Sequence, residues 1–579
     1  MHISNTRLRA RLLGTSVLGI LVVGVVLIDS GPACAQKKGK KGLPQVAYKD
    51  KPVAAHAPKS SVLTEEAWQR ASLKPLEPGE LDQLVNKELA ESKIAVARLT
   101  TDEQFIRRVS LDLNGQLPTP ADVKDFVASP ASEKRSLLID KLLASDEFAQ
   151  HWARFWREVI ASRVNDRRGM GLARPFENWM TDQLKKNVGW DKIVRSMLTA
   201  EGSCAYDSEK DGAIFFLASH FGPDSVNEQA AETARVFLGI QIQCAQCHDH
   251  PQDQWKRVQF HELAAYFART SQRPMRNQAK PGVQGMELFS APRGEHEMPS
   301  SEDPKKTFLT HPRFLDGSSP GANLPDLARR QALANTITSK KNYWFAGAYV
   351  NRIWSELMGQ SFFQPVDDLG PGKEAVFASV LTRLTGAFRG TNFDIKDLFR
   401  AVMNSETYQR QIRPGESADE HLHFAAAYPT RLRADALWGS LTTVLGAMGG
   451  APVNRPRGPG ALYGSGLEGI VNEEFKFDPS LKPDEVEGSI TQALLLMNNP
   501  AINQKITARG TNVLSRILAS YPTDAEAIRM VYLKTLTRKP TDGELEKFQS
   551  YLSGAANRNE AYEDLLWAIL NSTEFQTKR

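Results

Sequence analysis

Apolar residues recur at helical spacing through two long stretches of the chain. Within residues 75–270, and again within 327–579, they return every three or four positions, which predicts amphipathic helices. Residues 271–326 are instead rich in Pro, Gly, Arg and Ser and show little periodicity. We therefore predict a mainly α fold, with two helical domains joined by an irregular Pro/Gly-rich segment that serves as a linker or small module.

The two ends of the chain share one local pattern. In each, a helix is predicted to end, a proline prevents its continuation, and a threonine caps the next helix with an acidic residue three positions on. The Pro-Thr pairs are Pro118-Thr119 and Pro540-Thr541. A related helix ending occurs three times, at residues 142–148, 402–408 and 569–575. We expect one capped helical unit to be reused, without the regular period of a solenoid.

Residues 1–35 have the features of an export signal. Their beginning is basic, Leu12 to Ile28 is apolar and uncharged, and Ala33-Cys34-Ala35 is a cleavage site of the A-x-A type. Residues 36–61, rich in Lys, Pro, Ala and Gly, are predicted to form a flexible linker. The apolar run could instead be retained as an N-terminal membrane anchor. In both cases we expect a periplasmic or secreted protein, and signal cleavage would leave it soluble.

Composition narrows the class of partner. The chain has 41% hydrophobic and 24% charged residues and a formal net charge of +5. Cleavage after Ala35 would remove three arginines and one aspartate, which leaves a charge near +3 and argues against a nucleic-acid partner. The three cysteines that remain, Cys204, Cys244 and Cys247, are too few for a disulfide scaffold.

Residues 244–248, Cys-Ala-Gln-Cys-His, are the candidate functional centre. The C-x-x-C-H pattern is typical of c-type haem attachment. Two thiols at this spacing can bond the two vinyl groups of one porphyrin, and the histidine after them supplies the proximal iron ligand. We predict a covalent haem c held by Cys244 and Cys247, with His248 on the iron and a redox or electron-transfer role.

Two other interpretations fit the same residues. A structural metal site, with zinc as the metal, would use Cys244, Cys247, His248 and His250, because two thiolates and two imidazoles satisfy zinc. A local disulfide between Cys244 and Cys247 would leave the histidines structural. Either arrangement would make the protein a non-redox binding or scaffold protein.

The sequence does not assign the second axial ligand of a haem. The candidates are Met275, Met286, Met298, His220 and His261. A filled position favours electron transfer to a redox partner, whereas a vacant one would permit an open-coordinate haem enzyme with its own substrate. No Ser-His-Asp or activated-cysteine arrangement indicates a hydrolase or transferase.

Other polar residues are expected to have structural roles. Asp367-Asp368 could form a polar site with Arg352, but a structural ion pair in a helical domain is the favoured interpretation. Cys204 is expected to be a buried small hydrophobe rather than a reactive thiol.

Two groups of motifs carry a resemblance to known families. Residues 107–113, 117–120 and 237–251, which include C-x-x-C-H-x-H-P, resemble a planctomycete cytochrome-like domain of unknown function. Residues 348–354 and 365–371 resemble the uncharacterised domain that accompanies it. The resemblance covers roughly residues 80–579. It implies a secreted two-domain protein and no settled activity.

Overall fold

The structure is a computed structural model that describes most of the chain after residue 59. The described residues are 60–164, 167–277, 280–303, 305–321, 323–412, 423–448 and 466–578. The predicted export signal and all but the last two residues of the predicted linker lie outside them. Within the described ranges, no helix is long and apolar enough to cross a membrane.

The fold is mainly α, as the apolar spacing predicts. The helices are α1 (Glu65–Arg70), α2 (Glu80–Glu91), α3 (Asp102–Asn114), α4 (Pro120–Ala128), α5 (Lys134–Leu143), α6 (Asp146–Ala161), α7 (Arg167–Met170), α8 (Ala173–Lys185), α9 (Trp190–Leu198), α10 (Phe215–Ala218), α11 (Ser225–Thr233), α12 (Arg257–Ala264), α13 (Asp326–Ile337), α14 (Tyr343–Met358), α15 (Ala378–Gly390), α16 (Ile395–Met403), α17 (Glu406–Gln409), α18 (Ala434–Leu445), α19 (Leu467–Phe475), α20 (Ile490–Asn498), α21 (Pro500–Ile506), α22 (Val513–Ser520), α23 (Asp524–Leu536), α24 (Asp542–Gly554), α25 (Arg558–Leu570) and α26 (Thr573–Gln576). Short 3₁₀ segments occupy Gly212–Ile214, Ile242–Gln246, Ala265–Phe267 and Pro483–Glu485, and Ala234–Leu238 is a π-helix.

The strands form small antiparallel sheets. They are β1 (Ser60–Val62), β2 (Gly202–Ala205), β3 (Thr270–Asn277), β4 (Lys280–Ser290), β5 (His296–Pro299), β6 (Thr307–Thr310), β7 (Glu374–Val376), β8 (Thr430–Arg431) and β9 (Thr577–Lys578). Strand β1 pairs with β7, β5 with β6, and β8 with β9, while β2, β4 and β3 form a three-stranded sheet in that order.

The segment expected to be irregular contains four of these strands. The structure corrects that expectation, because β3 to β6 form paired hairpins within residues 270–310. Burial along β4 follows the strand period, since Met286 and Leu288 are buried while Glu287 and Phe289, which alternate with them, are only partly buried. The abundant Pro, Gly and Arg of the segment hide this alternation in the sequence.

The repeated capped unit is confirmed. Thr119 accepts the backbone N–H of Asp122 at 3.2 Å, and Thr541 accepts that of Glu544 at 3.2 Å. The three related endings place a serine at the start of α6, α17 and α26, and each serine accepts a backbone N–H three residues on. The three serines are Ser145, Ser405 and Ser572. The sequence pattern therefore encodes where these helices begin.

Apolar packing forms two clusters. The first runs from Trp68 to Ala425 and draws on both predicted helical domains. Within it, Trp156 of α6 stacks on Tyr349 of α14 with 5.6 Å between ring centroids. The second cluster contains residues from Leu432 to Phe575, together with two leucines of the α3 region. Packing is therefore continuous across the predicted junction at residues 271–326.

Candidate functional site

The candidate site lies on a short 3₁₀ turn, Ile242–Gln246, that continues into Cys247. In such a turn, residues three apart share a face. Ile242 and Ala245 are fully buried, whereas Cys244 and Cys247 are exposed. The apolar pair therefore anchors the turn to the core, and the same periodicity turns both thiols towards solvent. Their common orientation follows from the spacing of the motif.

The chain enters this turn through an irregular helix end. Helix α11 continues into the π-helix Ala234–Leu238, which ends at Gly239 with φ +65°. A Cβ at Gly239 would lie 2.8 Å from Leu369, whose backbone N–H donates to the Gly239 carbonyl at 2.5 Å. A glycine is needed there for both the positive φ and the close approach. This contact fixes the turn against the segment that follows α14.

His248 is held in one tautomer. Its Nδ1 lies 2.7 Å from the Asp249 carbonyl oxygen, which can only accept, so Nδ1 carries the hydrogen. The Nε2 lone pair is then available to a ligand, as in histidines that bind metal through one nitrogen and donate with the other. His248 itself is exposed.

The Asp249 carboxylate fixes the end of the motif. It accepts the Arg257 backbone N–H at 3.0 Å and pairs with the Lys256 ammonium at 3.0 Å. The hydrogen bond from the Arg257 backbone, then the one from Lys256, lowers the pKa of Asp249 below its ordinary value. The residue after His248 is thereby tied to the first turn of α12.

His250 is engaged differently. Its Nδ1 accepts the backbone N–H of Gln252 at 3.3 Å, so in the neutral ring the hydrogen is on Nε2. Its own backbone N–H donates to the Trp255 carbonyl at 2.8 Å. Across the described ranges, no group of three or more His, Cys, Asp or Glu side chains is arranged to hold a metal ion. The alternative zinc site of Cys244, Cys247, His248 and His250 gains no support from this geometry.

Beneath the turn, the Gln246 carbonyl accepts two side chains. His261 Nε2 donates to it at 3.0 Å and Arg257 Nε at 3.3 Å. With its hydrogen on Nε2, His261 accepts at Nδ1 from Nε2 of His296, 2.8 Å away. Burial lowers the pKa of His261, and burial followed by the charge of His261 lowers the pKa of His296 to about 4. Both rings are therefore neutral at pH 7.

The ion pair predicted around Asp367 is present and buried. Asp367 lies 4.0 Å from the Arg352 guanidinium and 3.4 Å from that of Arg235. Burial alone would raise the pKa of Asp367, but the two arginines outweigh it and lower the pKa. Asp367 also accepts a hydrogen bond from Gln241 Nε2 at 2.7 Å, three residues before Cys244. The ion pair is structural. Through Gln241 it also connects the motif turn to the segment that follows α14.

The remaining cysteine behaves as the sequence predicts. Cys204 lies in β2 and is fully buried. Burial, and then the charge of Asp211, raises the pKa of its thiol to about 12. Cys204, Cys244 and Cys247 are all free thiols, so the structure contains no Cys244–Cys247 disulfide.

The five candidates for a second axial ligand differ in access. Met286 is fully buried in β4, and His220 is 3% exposed. His261 is corrected to a positioning role, because both its ring nitrogens are bonded. Met275 on β3 and Met298 on β5 are partly buried. Sequence reasoning did not select Arg257 or His296, because only the fold brings them to the turn.

The donor set fits a covalent haem c. Such a haem needs two free thiols on one face and an imidazole nitrogen with an available lone pair. Cys244 and Cys247 are free and exposed, and the hydrogen bond from His248 Nδ1 leaves Nε2 available. These three residues would hold the group.

Comparison with known families agrees with the two-part resemblance. Residues 80–272 match PSCyt2, a protein of unknown function (DUF1549), and residues 329–466 match PSD1, a protein of unknown function (DUF1553). No curated protein and no solved structure matches the chain. The C-x-x-C-H motif lies within the first match, and Asp367 within the second. Neither family assigns an activity.

Proposed function

We propose that the protein is an exported c-type haem-binding protein with a redox or electron-transfer role. The observation that carries this proposal is the motif turn itself. It presents two free, exposed thiols on one face, next to a histidine whose Nδ1 hydrogen bond reserves Nε2 for a ligand. The apolar, A-x-A-terminated N-terminus supports export to the periplasm or beyond, where haem c is assembled.

Each residue of the motif has a distinct task in this proposal. Cys244 and Cys247 would hold the porphyrin through thioether bonds, which form by addition of each thiol to a vinyl group without an external oxidant. His248 Nε2 would supply a nitrogen to the iron. A haem bound in this way supplies one-electron redox chemistry.

The surrounding side chains keep this geometry rigid. The Gln246 carbonyl, between the two cysteines, is held by His261 and Arg257. The Asp249 carboxylate holds the residue after His248. A ligand set fixed in this way loses little conformational entropy when the group binds. The redox partner is proposed to approach the exposed face of the turn.

Expression tests the proposal directly. The full chain is exported in a bacterium that has haem-ligation machinery, and covalent haem is detected by its peroxidase activity after denaturing electrophoresis. We expect stained protein from the wild type and from Cys204→Ser, and none from the Cys244→Ser/Cys247→Ser double variant. The Cys204 variant is the matched control because it removes a thiol outside the motif.

Two results would overturn the proposal. A colourless wild-type product that contains stoichiometric zinc would support the scaffold alternative, with the cluster as a structural metal site. A colourless product with a Cys244–Cys247 disulfide, detected by mass spectrometry of unreduced peptides, would support the disulfide alternative.

A further inference from the structure

We propose that Met298 is the second axial ligand of the haem, and that the β5–β6 hairpin forms the distal wall of the site. This inference rests on the proposed haem attachment at Cys244 and Cys247. It assigns the ligand that the sequence left open among five candidates.

The first argument is that two side chains fasten strand β5 to the motif turn. His261 donates to the Gln246 carbonyl at 3.0 Å and lies 2.8 Å from His296, with the two imidazole rings stacked at 5.0 Å. Arg257 donates to the same carbonyl at 3.3 Å and to the Pro299 carbonyl at 2.6 Å. Strand β5 is therefore attached at His296 and at Pro299, on either side of Met298. Both attachments lead to the Gln246 carbonyl, which lies between the two cysteines.

The second argument is the direction of the side chain. Residues two apart in a strand point to the same face. His296 contacts His261 of α12, so its face of β5 is the one towards the motif. Met298 shares that face and is only partly buried. The thioether therefore lies on the face of β5 that is turned towards α12, the helix that is bonded to the motif turn.

The third argument is an apolar surface beside Met298 that nothing in the described chain covers. Phe308, directly opposite Met298 in the hairpin register, lies on the same face of the hairpin and is 55% exposed. A porphyrin anchored at the motif would remove such apolar surface from water, which is favourable. The covalent anchors next to it select haem as the occupant.

The other candidates are less suited to reach the iron. Both nitrogens of His261 are bonded, and Met286 is fully buried. His220 Nε2 is sealed from solvent, and its Nδ1 lies 3.5 Å from the Glu228 carboxylate. Met275 lies on β3, in the three-stranded sheet rather than in the hairpin fastened to the turn. Met298 alone combines access with attachment to the motif.

A thioether ligand has chemical consequences. Methionine and histidine together raise the reduction potential of haem iron relative to nitrogen ligands alone. A filled sixth position also excludes small molecules from the iron. Met298 therefore favours electron transfer over an open-coordinate haem enzyme.

The test uses the haem-loaded full chain and three variants, Met298→Leu, Met298→His and, as the matched control, Met275→Leu. We expect covalent haem in all of them, because the anchors are unchanged. The wild type and Met275→Leu should show the charge-transfer absorption band of thioether-ligated ferric haem and no carbon monoxide binding when reduced. Met298→Leu should lose the band, bind carbon monoxide and have a lower potential. Met298→His should lose the band but still exclude carbon monoxide.

The outcomes separate the two proposals. A Met298→Leu protein with the wild-type spectrum, or a wild type that binds carbon monoxide readily, would overturn the assignment of Met298 while leaving haem attachment intact. If the reduced His220→Gln protein bound carbon monoxide and Met298→Leu did not, the second axial ligand would be His220 instead of Met298. Absence of covalent haem from every variant would overturn the proposed function itself.

Discussion

The buried carboxylate of Asp367 offers a sharp test of how the two matched regions are held together. Asp367→Asn keeps the shape of the side chain but removes its negative charge. Asp367 is 1% exposed, and it lies 3.4 Å from Arg235 and 4.0 Å from Arg352. After the substitution, Arg352 keeps its hydrogen bond to the Ser480 hydroxyl at 3.1 Å but loses the carboxylate facing it.

The expected magnitude follows from the partners that remain. Removing one member of a buried ion pair costs about 3–5 kcal/mol, because the other charge stays buried without compensation. Arg235 retains Glu232 at 2.6 Å, and the asparagine oxygen can still accept from Gln241. These contacts place the expected loss in the free energy of unfolding near the lower limit, about 3 kcal/mol.

Asp368 provides the matched control. It pairs with Lys373 at 2.9 Å, and the two side chains are 19% and 24% exposed. Asp368→Asn should therefore cost no more than about 1 kcal/mol. Urea unfolding of wild type and both variants at pH 7, followed by tryptophan fluorescence, measures the difference. Equal losses in the two variants, or a loss below 1 kcal/mol in Asp367→Asn, would refute the reasoning.

The same pair predicts a pH dependence. The pKa of Asp367 is lowered in the folded protein, so its stabilising contribution is complete above the ordinary carboxyl pKa. That contribution is lost as the pH falls through the lowered, folded value. The stability gap between wild type and Asp367→Asn should therefore be full at pH 7 and narrow only in strong acid. A gap that widens on acidification would contradict the assignment.

Three further predictions test local features. Gly115→Ala should lower the free energy of unfolding by about 2–4 kcal/mol, measured by urea unfolding, because φ is +65° and a Cβ would overlap the His151 ring. In haem-free native protein at pH 8, iodoacetamide should label the two motif thiols but leave Cys204 unmodified until unfolding, as read by peptide mass spectrometry, because burial raises its pKa to about 12. Ser145→Ala should cost about 1 kcal/mol of unfolding free energy and Ser145→Thr much less, because threonine keeps the hydroxyl that caps α6 and donates to the Leu142 carbonyl.

Local features of the chain were predictable because their physics is local. Gly115, in a left-handed conformation, ends α3, and Thr119, which follows Pro118, caps α4 only a few residues later. The C-x-x-C-H spacing placed Cys244 and Cys247 on one face because a 3₁₀ turn repeats every three residues. The buried state of Cys204 followed from its residue type.

Features that depend on distant parts of the chain were not predictable in the same way. The hairpins of residues 270–310 were expected to be irregular, because Pro, Gly and Arg obscure their alternation. The hydrogen bond between His261 and His296 joins residues that are 35 positions apart in the sequence. The one between Gln241 and Asp367 joins residues that are 126 positions apart. The local sequence does not indicate which polar side chains form hydrogen bonds with each other across such separations.

The sequence by itself determined the helical elements, their caps and the chemistry of the motif, because spacing and residue type act over one or two turns. The tertiary structure decided what surrounds that motif. It brought His261 and Arg257 to the Gln246 carbonyl and joined strand β5 to the same turn through Arg257. Such contacts depend on chain segments packing from far apart, where burial and the pairing of polar groups, rather than local periodicity, select the partners.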